Sequence, residues 1–128
     1  FSTIVVYDRT MEAGAIDKLI KKFPDLTQQL ETIKYKMLDV FEVFLKMDYY
    51  HPGFKNTFSL KAVSAQLLDH IAYSGIGSGL EAMSYFDQYR ISDNPIEKEF
   101  LKSELLQYCH TDTEATLGLL HFLQNLVK

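Results

Sequence analysis

Two residues near the C-terminus, Tyr108 and Asp112, have the types and the spacing that a chemical site requires. They belong to a row of residues separated alternately by four and three positions, which is one face of a helix. The row is apolar apart from Asp112 and the Tyr108 hydroxyl, and it comprises Leu101, Leu105, Tyr108, Asp112, Ala115, Leu119, Phe122 and Leu126. A carboxylate on a core-facing row costs free energy unless it is paired, hydrogen-bonded or bound to a metal. Because side chains four residues apart lie side by side on a helix, the pair predicts a site.

Three further acids precede that row. Asp8 and Glu12 follow the β-branched run from Thr3 to Tyr7, and ligands commonly bind where strands end. Asp39 interrupts an otherwise apolar segment. Carboxylates that come together repel one another unless hard cations neutralise them, and Mg²⁺ or Mn²⁺ suits a site of oxygen ligands. Two such ions, about 4 Å apart, can activate a water and stabilise a leaving oxygen in phosphodiester cleavage.

Each of these side chains also has a structural interpretation. Asp112 could be satisfied by a backbone N–H or a lysine, and Tyr108 could be a core tyrosine with its hydroxyl at the edge. Glu12 could serve only the helix dipole, which favours acids in a first turn. Asp39 is interpreted as structural or as support for a metal ligand. Cys109 is expected to be a small core residue beside the row.

The elements that must position these residues can be outlined from the sequence. The pattern predicts a strand at 3–7, helices at about 10–23 and 25–32, a mixed strand and helix segment at 34–47, a loop at 48–56, helices at 60–70 and 80–89 around a glycine-rich loop at 73–79, and a long last helix after Asp93-Asn94-Pro95. Apolar spacing predicts that Leu19 and Phe23 face inward on the first helix, and that Met83 and Phe86 do so at 80–89. The predicted fold is a helix-rich α/β class.

The composition of the chain limits the classes of protein to which it can belong. The 128 residues, almost half of them hydrophobic, suffice for one domain with a core, and no apolar run approaches the ~20 residues of a membrane span. The single cysteine excludes an internal disulfide and fits a reducing, cytoplasmic compartment. The net charge of -4 argues against a protein that coats nucleic acid generally. Because the chain begins at Phe1 and runs directly into a strand, we expect it to be a piece of a longer protein.

The segment from Tyr108 to Asp112 resembles the Tyr-x-x-x-Asp third motif of the DEDD 3′-5′ exonucleases of the tyrosine subtype, which have an RNase H-like fold. In their second motif, a strand is followed by an Asn and, four residues later, by an acid. The segment from Val5 to Glu12, VVYDRTME, is similar to this motif, with Asp8 in place of the Asn and Glu12 as the acid. Lys36 to Asp39 is similar to the strand that often follows, and Thr57 to Lys61 to a helix start further on. Order and spacing look closest to a bacterial C-terminal domain family of unknown function that is placed among RNase H-like nucleases.

This resemblance implies two Mg²⁺ or Mn²⁺ ions, a nucleic-acid substrate that is DNA or RNA, and roles for particular residues. Asp112 would bind a metal ion, Glu12 would hold the second ion, and Tyr108 would orient the attacking water. The first motif, Asp-x-Glu, does not occur in the chain before Asp8, so residues 1–128 alone are expected to be inactive. We also expect no membrane contact, and self-association through an exposed sheet edge beside 3–7. The alternative is a non-catalytic interaction module for nucleic acid or protein with a degenerate nuclease fold.

Overall fold

A computed structural model describes residues 2–128, and its sheet consists of two short strands. Strand β1 (Ile4–Val6) lies parallel to β2 (Met37–Asp39), with Val5 opposite Leu38. Parallel strands need a long crossover connection. Helices α1 (Arg9–Lys22) and α2 (Thr27–Tyr35), joined by a 3₁₀ turn at Pro24–Leu26, provide it. The prediction of a helix-rich α/β class is confirmed.

After β2 the described chain consists of helices joined by loops. The further elements are α3 (Phe41–Leu45), a 3₁₀ turn (Pro52–Phe54), α4 (Leu60–Leu67), α5 (Gly79–Ile91) and α6 (Pro95–Leu126). Helices α4, α5 and α6 each begin at a side chain that accepts hydrogen bonds from the first turn: Ser59, Ser78 and Asn94, respectively. No helix in the described part of the chain is long and apolar enough to cross a membrane.

The core lies where α6 crosses the helices and loops that follow the sheet. Leu119 of α6 is fully buried in one cluster with Val40, Phe44, Phe54 and Val63. The rings of Phe44 and Phe54 meet edge to face at 5.8 Å between centroids, a favourable arrangement for aromatic pairs. On the predicted α6 row, Leu119 and Phe122 pack in this cluster, Leu101 and Ala115 are also buried, and Leu126 is exposed at the end. The row therefore fixes which side of α6 carries Tyr108 and Asp112.

Two inward faces predicted from apolar spacing are wrong. Leu19 of α1 and Phe23, directly after its end, are 41% and 44% exposed, and the half-buried side of α1 is formed instead by residues such as Ile16 and Ile20. On α5, Met83 and Phe86 are 66% and 50% exposed. Both helices have few neighbours: α1 packs on α2 and the strand β2, and α5 packs on α6. Their polar and apolar residues are mixed around the helix, so spacing alone did not define a face.

Smaller differences concern boundaries and one side chain. Helix α4 ends at Leu67, before the predicted His70, and α2 extends beyond Thr32 to Tyr35. Cys109 is exposed, which corrects its prediction as a core residue. It lies beside the buried row of α6 but on the solvent side of it, next to the exposed His110.

Candidate functional site

Asp39 at the end of β2 organises the start of α1. Its Oδ1 accepts hydrogen bonds from the backbone N–H groups of Asp8 (3.0 Å) and Phe41 (3.0 Å), and its Oδ2 accepts one from Arg9 (2.8 Å). The first N–H groups of a helix have no partner within the helix. The Asp39 carboxylate therefore satisfies donors at the N-terminus of α1 and joins that helix to the second strand. This placement agrees with the structural interpretation of Asp39.

Asp8 begins α1 in a left-handed conformation. Its φ is 69°, in the region that Asp and Asn adopt more readily than most residues, and its Oδ1 accepts from the Thr10 N–H at 3.2 Å. Its carboxylate is thus used locally, as an N-cap. The turn made by Asp8 and Asp39 places the first turn of α1, with Glu12, directly after β1.

Glu12 and Asp112 lie on the wall of the same cavity, although they are 100 positions apart in the sequence. We call this cavity, of about 420 Å³, the Glu12–Asp112 cleft. Its wall comprises Val5, Val6, Tyr7, Glu12, Leu60, Asp112, Thr113, Thr116 and Leu117. The cleft therefore joins the end of β1, the first turn of α1 and the middle of α6. Both predicted metal ligands, Glu12 and Asp112, line this cleft, while Asp8 and Asp39 are not part of its wall.

The electrostatic environment of the cleft disfavours charge on both acids. Partial burial raises the pKa of Asp112, and the hydrogen bond from Tyr73 partly offsets that rise. Although Glu12 is exposed, its pKa is raised, chiefly by desolvation and also by the charges of Asp8, Asp39 and Asp112, and a backbone hydrogen bond partly offsets that rise. An excess of negative potential in a concave site attracts a cation or a proton. At Glu12, where three neighbouring carboxylates contribute, the potential therefore favours a proton or a cation.

Tyr73 is a component of the site that the sequence did not reveal. It lies in the segment between α4 and α5, and its hydroxyl donates a hydrogen bond of 2.6 Å to Asp112 Oδ1. Its ring lies 6.1 Å from the ring of Tyr108, centroid to centroid. The contact joins positions 39 residues apart, through a loop, so no local spacing could have indicated it. Asp112 is satisfied by a tyrosine, whereas the structural interpretation had suggested a backbone N–H or a lysine.

Tyr108 is half-buried and shares a second cavity with Asp112. We call this cavity, of about 270 Å³, the tyrosine pocket. Its wall comprises Ser59, Leu60, Lys61, Tyr73, Gly77, Ser78, Gly79, Tyr108 and Asp112. Burial, and then the Asp112 charge, raise the pKa of Tyr108, so its phenol is protonated at neutral pH and acts as a hydrogen-bond donor. Asp112 and Leu60 are common to both cavities, so Asp112 lies on the wall between them.

The wall of the Glu12–Asp112 cleft carries two carboxylates, those of Glu12 and Asp112. Mg²⁺ is commonly bound through one or two carboxylates and keeps several waters, and Glu12 with Asp112 supplies two carboxylates in one cleft. Among residues 2–128, no group of three or more His, Cys, Asp or Glu side chains could hold a metal ion. A closed cage of protein ligands is therefore not formed by the part of the chain that the structure describes.

Comparison with known proteins adds one partial similarity. A family model described as a domain of unknown function (DUF2779) matches residues 1–59. The matched segment includes Asp8, Glu12 and Asp39 and ends before Tyr73, Tyr108 and Asp112. No curated protein and no solved structure matches the chain.

Proposed function

We propose that this chain forms the C-terminal part of an RNase H-like domain of the DEDD exonuclease type, which hydrolyses phosphodiester bonds of nucleic acid from the 3′ end. The observation that carries the proposal is the Glu12–Asp112 cleft, in which a helix start after a strand and the middle of a long helix contribute one carboxylate each. The second and third motifs suggested by the sequence supply these same two residues. The net charge of -4 is compatible with such a site, because a cation would bring phosphate to it.

In this proposal each side chain has a distinct task. Asp112 and Glu12 hold Mg²⁺ or Mn²⁺, which when bound would lower the pKa of a coordinated water and neutralise charge on the phosphate. Tyr108, protonated at neutral pH, donates a hydrogen bond to the attacking water. Asp39 and Asp8 keep the first turn of α1 in place, so that Glu12 stays beside β1.

The test is a nuclease assay on the natural full-length protein that contains this chain, with a labelled single strand and Mn²⁺. Asp112→Asn preserves shape and removes a metal ligand, so we expect activity to be abolished. Tyr108→Phe removes one water-orienting hydroxyl, and we expect a smaller loss, since positioned proton-transfer groups typically contribute about 10²–10⁴-fold. The matched control is Asp69→Asn, which changes an exposed aspartate outside both cavities. An Asp112→Asn protein as active as the wild type would contradict the proposal.

A second candidate function is a non-catalytic interaction module. It is favoured by the finding that the described residues bring only two carboxylates, and no third metal ligand, to the cleft. In that case the full-length protein would retain a labelled single strand in a gel-shift assay without hydrolysing it, and Asp112→Asn would leave that binding unchanged. Metal-dependent shortening of the strand by the wild type would exclude this alternative.

A further inference from the structure

Tyr73 is held in place from several sides, and its hydroxyl points at Asp112. The hydroxyl donates to Asp112 Oδ1 at 2.6 Å, and the Tyr73 ring packs against Tyr108. The ammonium nitrogen of Lys61 lies 5.7 Å from the centroid of the Tyr73 ring and donates to the carbonyl oxygen of Gly77 at 3.1 Å. The segment between α4 and α5 is thereby attached to α4 through Lys61 and to α6 through Tyr73.

The chemistry of this contact allows only one direction of the hydrogen bond. Burial, and then the hydrogen bond to Asp112 and its charge, raise the pKa of Tyr73, so the phenol keeps its proton at neutral pH. The carboxylate is the acceptor, and a hydrogen bond to a charged oxygen at this length is among the stronger kinds. It restricts rotation of the carboxylate. No residue in the described part of the chain is hydrogen-bonded to the other oxygen, Oδ2.

We propose that Tyr73 is a positioning residue, which orients the Asp112 carboxylate for a divalent cation in the Glu12–Asp112 cleft. The inference rests on the proposed function and names a residue that the motifs do not contain. A carboxylate has about four acceptor positions, so a tyrosine and a metal ion can bind it at the same time. Hydrogen-bond partners of metal ligands typically change metal affinity by about 10–100-fold when they are removed.

The experiment measures the Mn²⁺ affinity of the natural full-length protein used in the nuclease assay, from the electron paramagnetic resonance signal of free Mn²⁺. Tyr73→Phe removes the hydroxyl and keeps the ring, and we expect it to weaken Mn²⁺ binding by about 10–100-fold. Tyr73→Leu removes the ring as well, and we expect it to bind no more weakly than Tyr73→Phe. Tyr50→Phe removes the hydroxyl of an exposed tyrosine in another loop and should leave the affinity unchanged. Thermal melting of each variant verifies that it is folded.

The outcomes separate this inference from the proposed function. If Asp112→Asn loses Mn²⁺ binding while Tyr73→Phe binds like the wild type, the role of Tyr73 is refuted and the metal site stands. A larger loss in Tyr73→Leu, with none in Tyr73→Phe, would show that only packing of the ring matters and would also refute it. If Asp112→Asn binds like the wild type, or the wild type binds no Mn²⁺, both proposals fail.

A second measurement needs no variant that alters the site. In wild-type protein labelled with ¹³C, the Cζ resonance of Tyr73 reports the hydrogen bond of its phenol. We expect Mg²⁺ to shift this resonance and that of the Asp112 carboxyl carbon with the same apparent dissociation constant, while Cζ of Tyr50 does not move. A Mg²⁺-dependent shift of the Asp112 carboxyl resonance without any shift of the Tyr73 Cζ resonance would contradict the positioning role of Tyr73.

Discussion

Replacing Asp39 should destabilise the fold, because its carboxylate accepts three backbone hydrogen bonds. In Asp39→Ala the N–H groups of Asp8, Arg9 and Phe41 lose this partner. A hydrogen bond to a charged group contributes about 1.5–3 kcal/mol net. The three contributions are not additive, and the Arg9 donor lies where water can replace the carboxylate. We therefore expect the free energy of unfolding to fall by roughly 2–4 kcal/mol.

Asp39→Asn should have a smaller effect, and the geometry gives the reason. An amide oxygen in place of Oδ1 retains the bonds from Asp8 and Phe41, whereas the amide NH₂ in place of Oδ2 meets the N–H of Arg9 as a second donor. The hydrogen bond from Arg9 is lost, and the other two are made to a neutral oxygen instead of a charged one. We therefore expect the free energy of unfolding to fall by roughly 1–2 kcal/mol.

The assay is urea unfolding followed by circular dichroism, which yields the free energy of unfolding and its dependence on urea. Asp69→Ala, at an exposed position, is the control and should stay within about 0.5 kcal/mol of the wild type. A loss below about 0.5 kcal/mol for Asp39→Ala would refute the argument that this carboxylate holds α1 to β2. So would equal losses for Asp39→Ala and Asp69→Ala.

The remaining predictions concern the cleft and the sheet edge. The pKa values of Glu12 and Asp112 are raised in the folded state, so at intermediate pH the folded protein binds more protons at these groups than the unfolded chain does. Their contribution to stability therefore falls as the pH rises from the unfolded-state pKa through the folded-state pKa. With a metal chelator present, Asp112→Asn should therefore gain stability relative to the wild type between pH 3.5 and pH 7.5, and a difference independent of pH would contradict this. Strand β1 has a partner strand on one side only among residues 2–128. The N–H of Ile4 points to that side and donates to the carbonyl oxygen of Lys36, directly before β2, so the N–H of Val5 points to the open edge. We expect light scattering to show that residues 1–128 self-associate at high concentration. The variant Val5→Pro, which lacks that N–H, should stay monomeric. A wild-type chain that is monomeric at every concentration would remove the edge-pairing claim.

Several features were determined by the sequence alone because they depend on neighbouring residues. Asn94 before Pro95 defines the start of α6, and Ser59 defines the start of α4, since capping satisfies backbone donors two or three residues away. The four-three row of α6 predicted which of its faces is buried, because a helix of 32 residues repeats the pattern many times. It also placed Tyr108 and Asp112 on one face.

Only the tertiary structure decided which elements meet. The inward faces of α1 and α5 depended on partners that apolar spacing does not identify. The hydrogen bond of Tyr73 to Asp112, and the common cleft of Glu12 and Asp112, join positions 39 and 100 residues apart. Such contacts form because packing of α4, α5 and α6 brings a loop over the long helix, and a polar group buried there must find a partner. Sequence pattern singled out Glu12 and Asp112 as candidates, and packing determined what each of them touches.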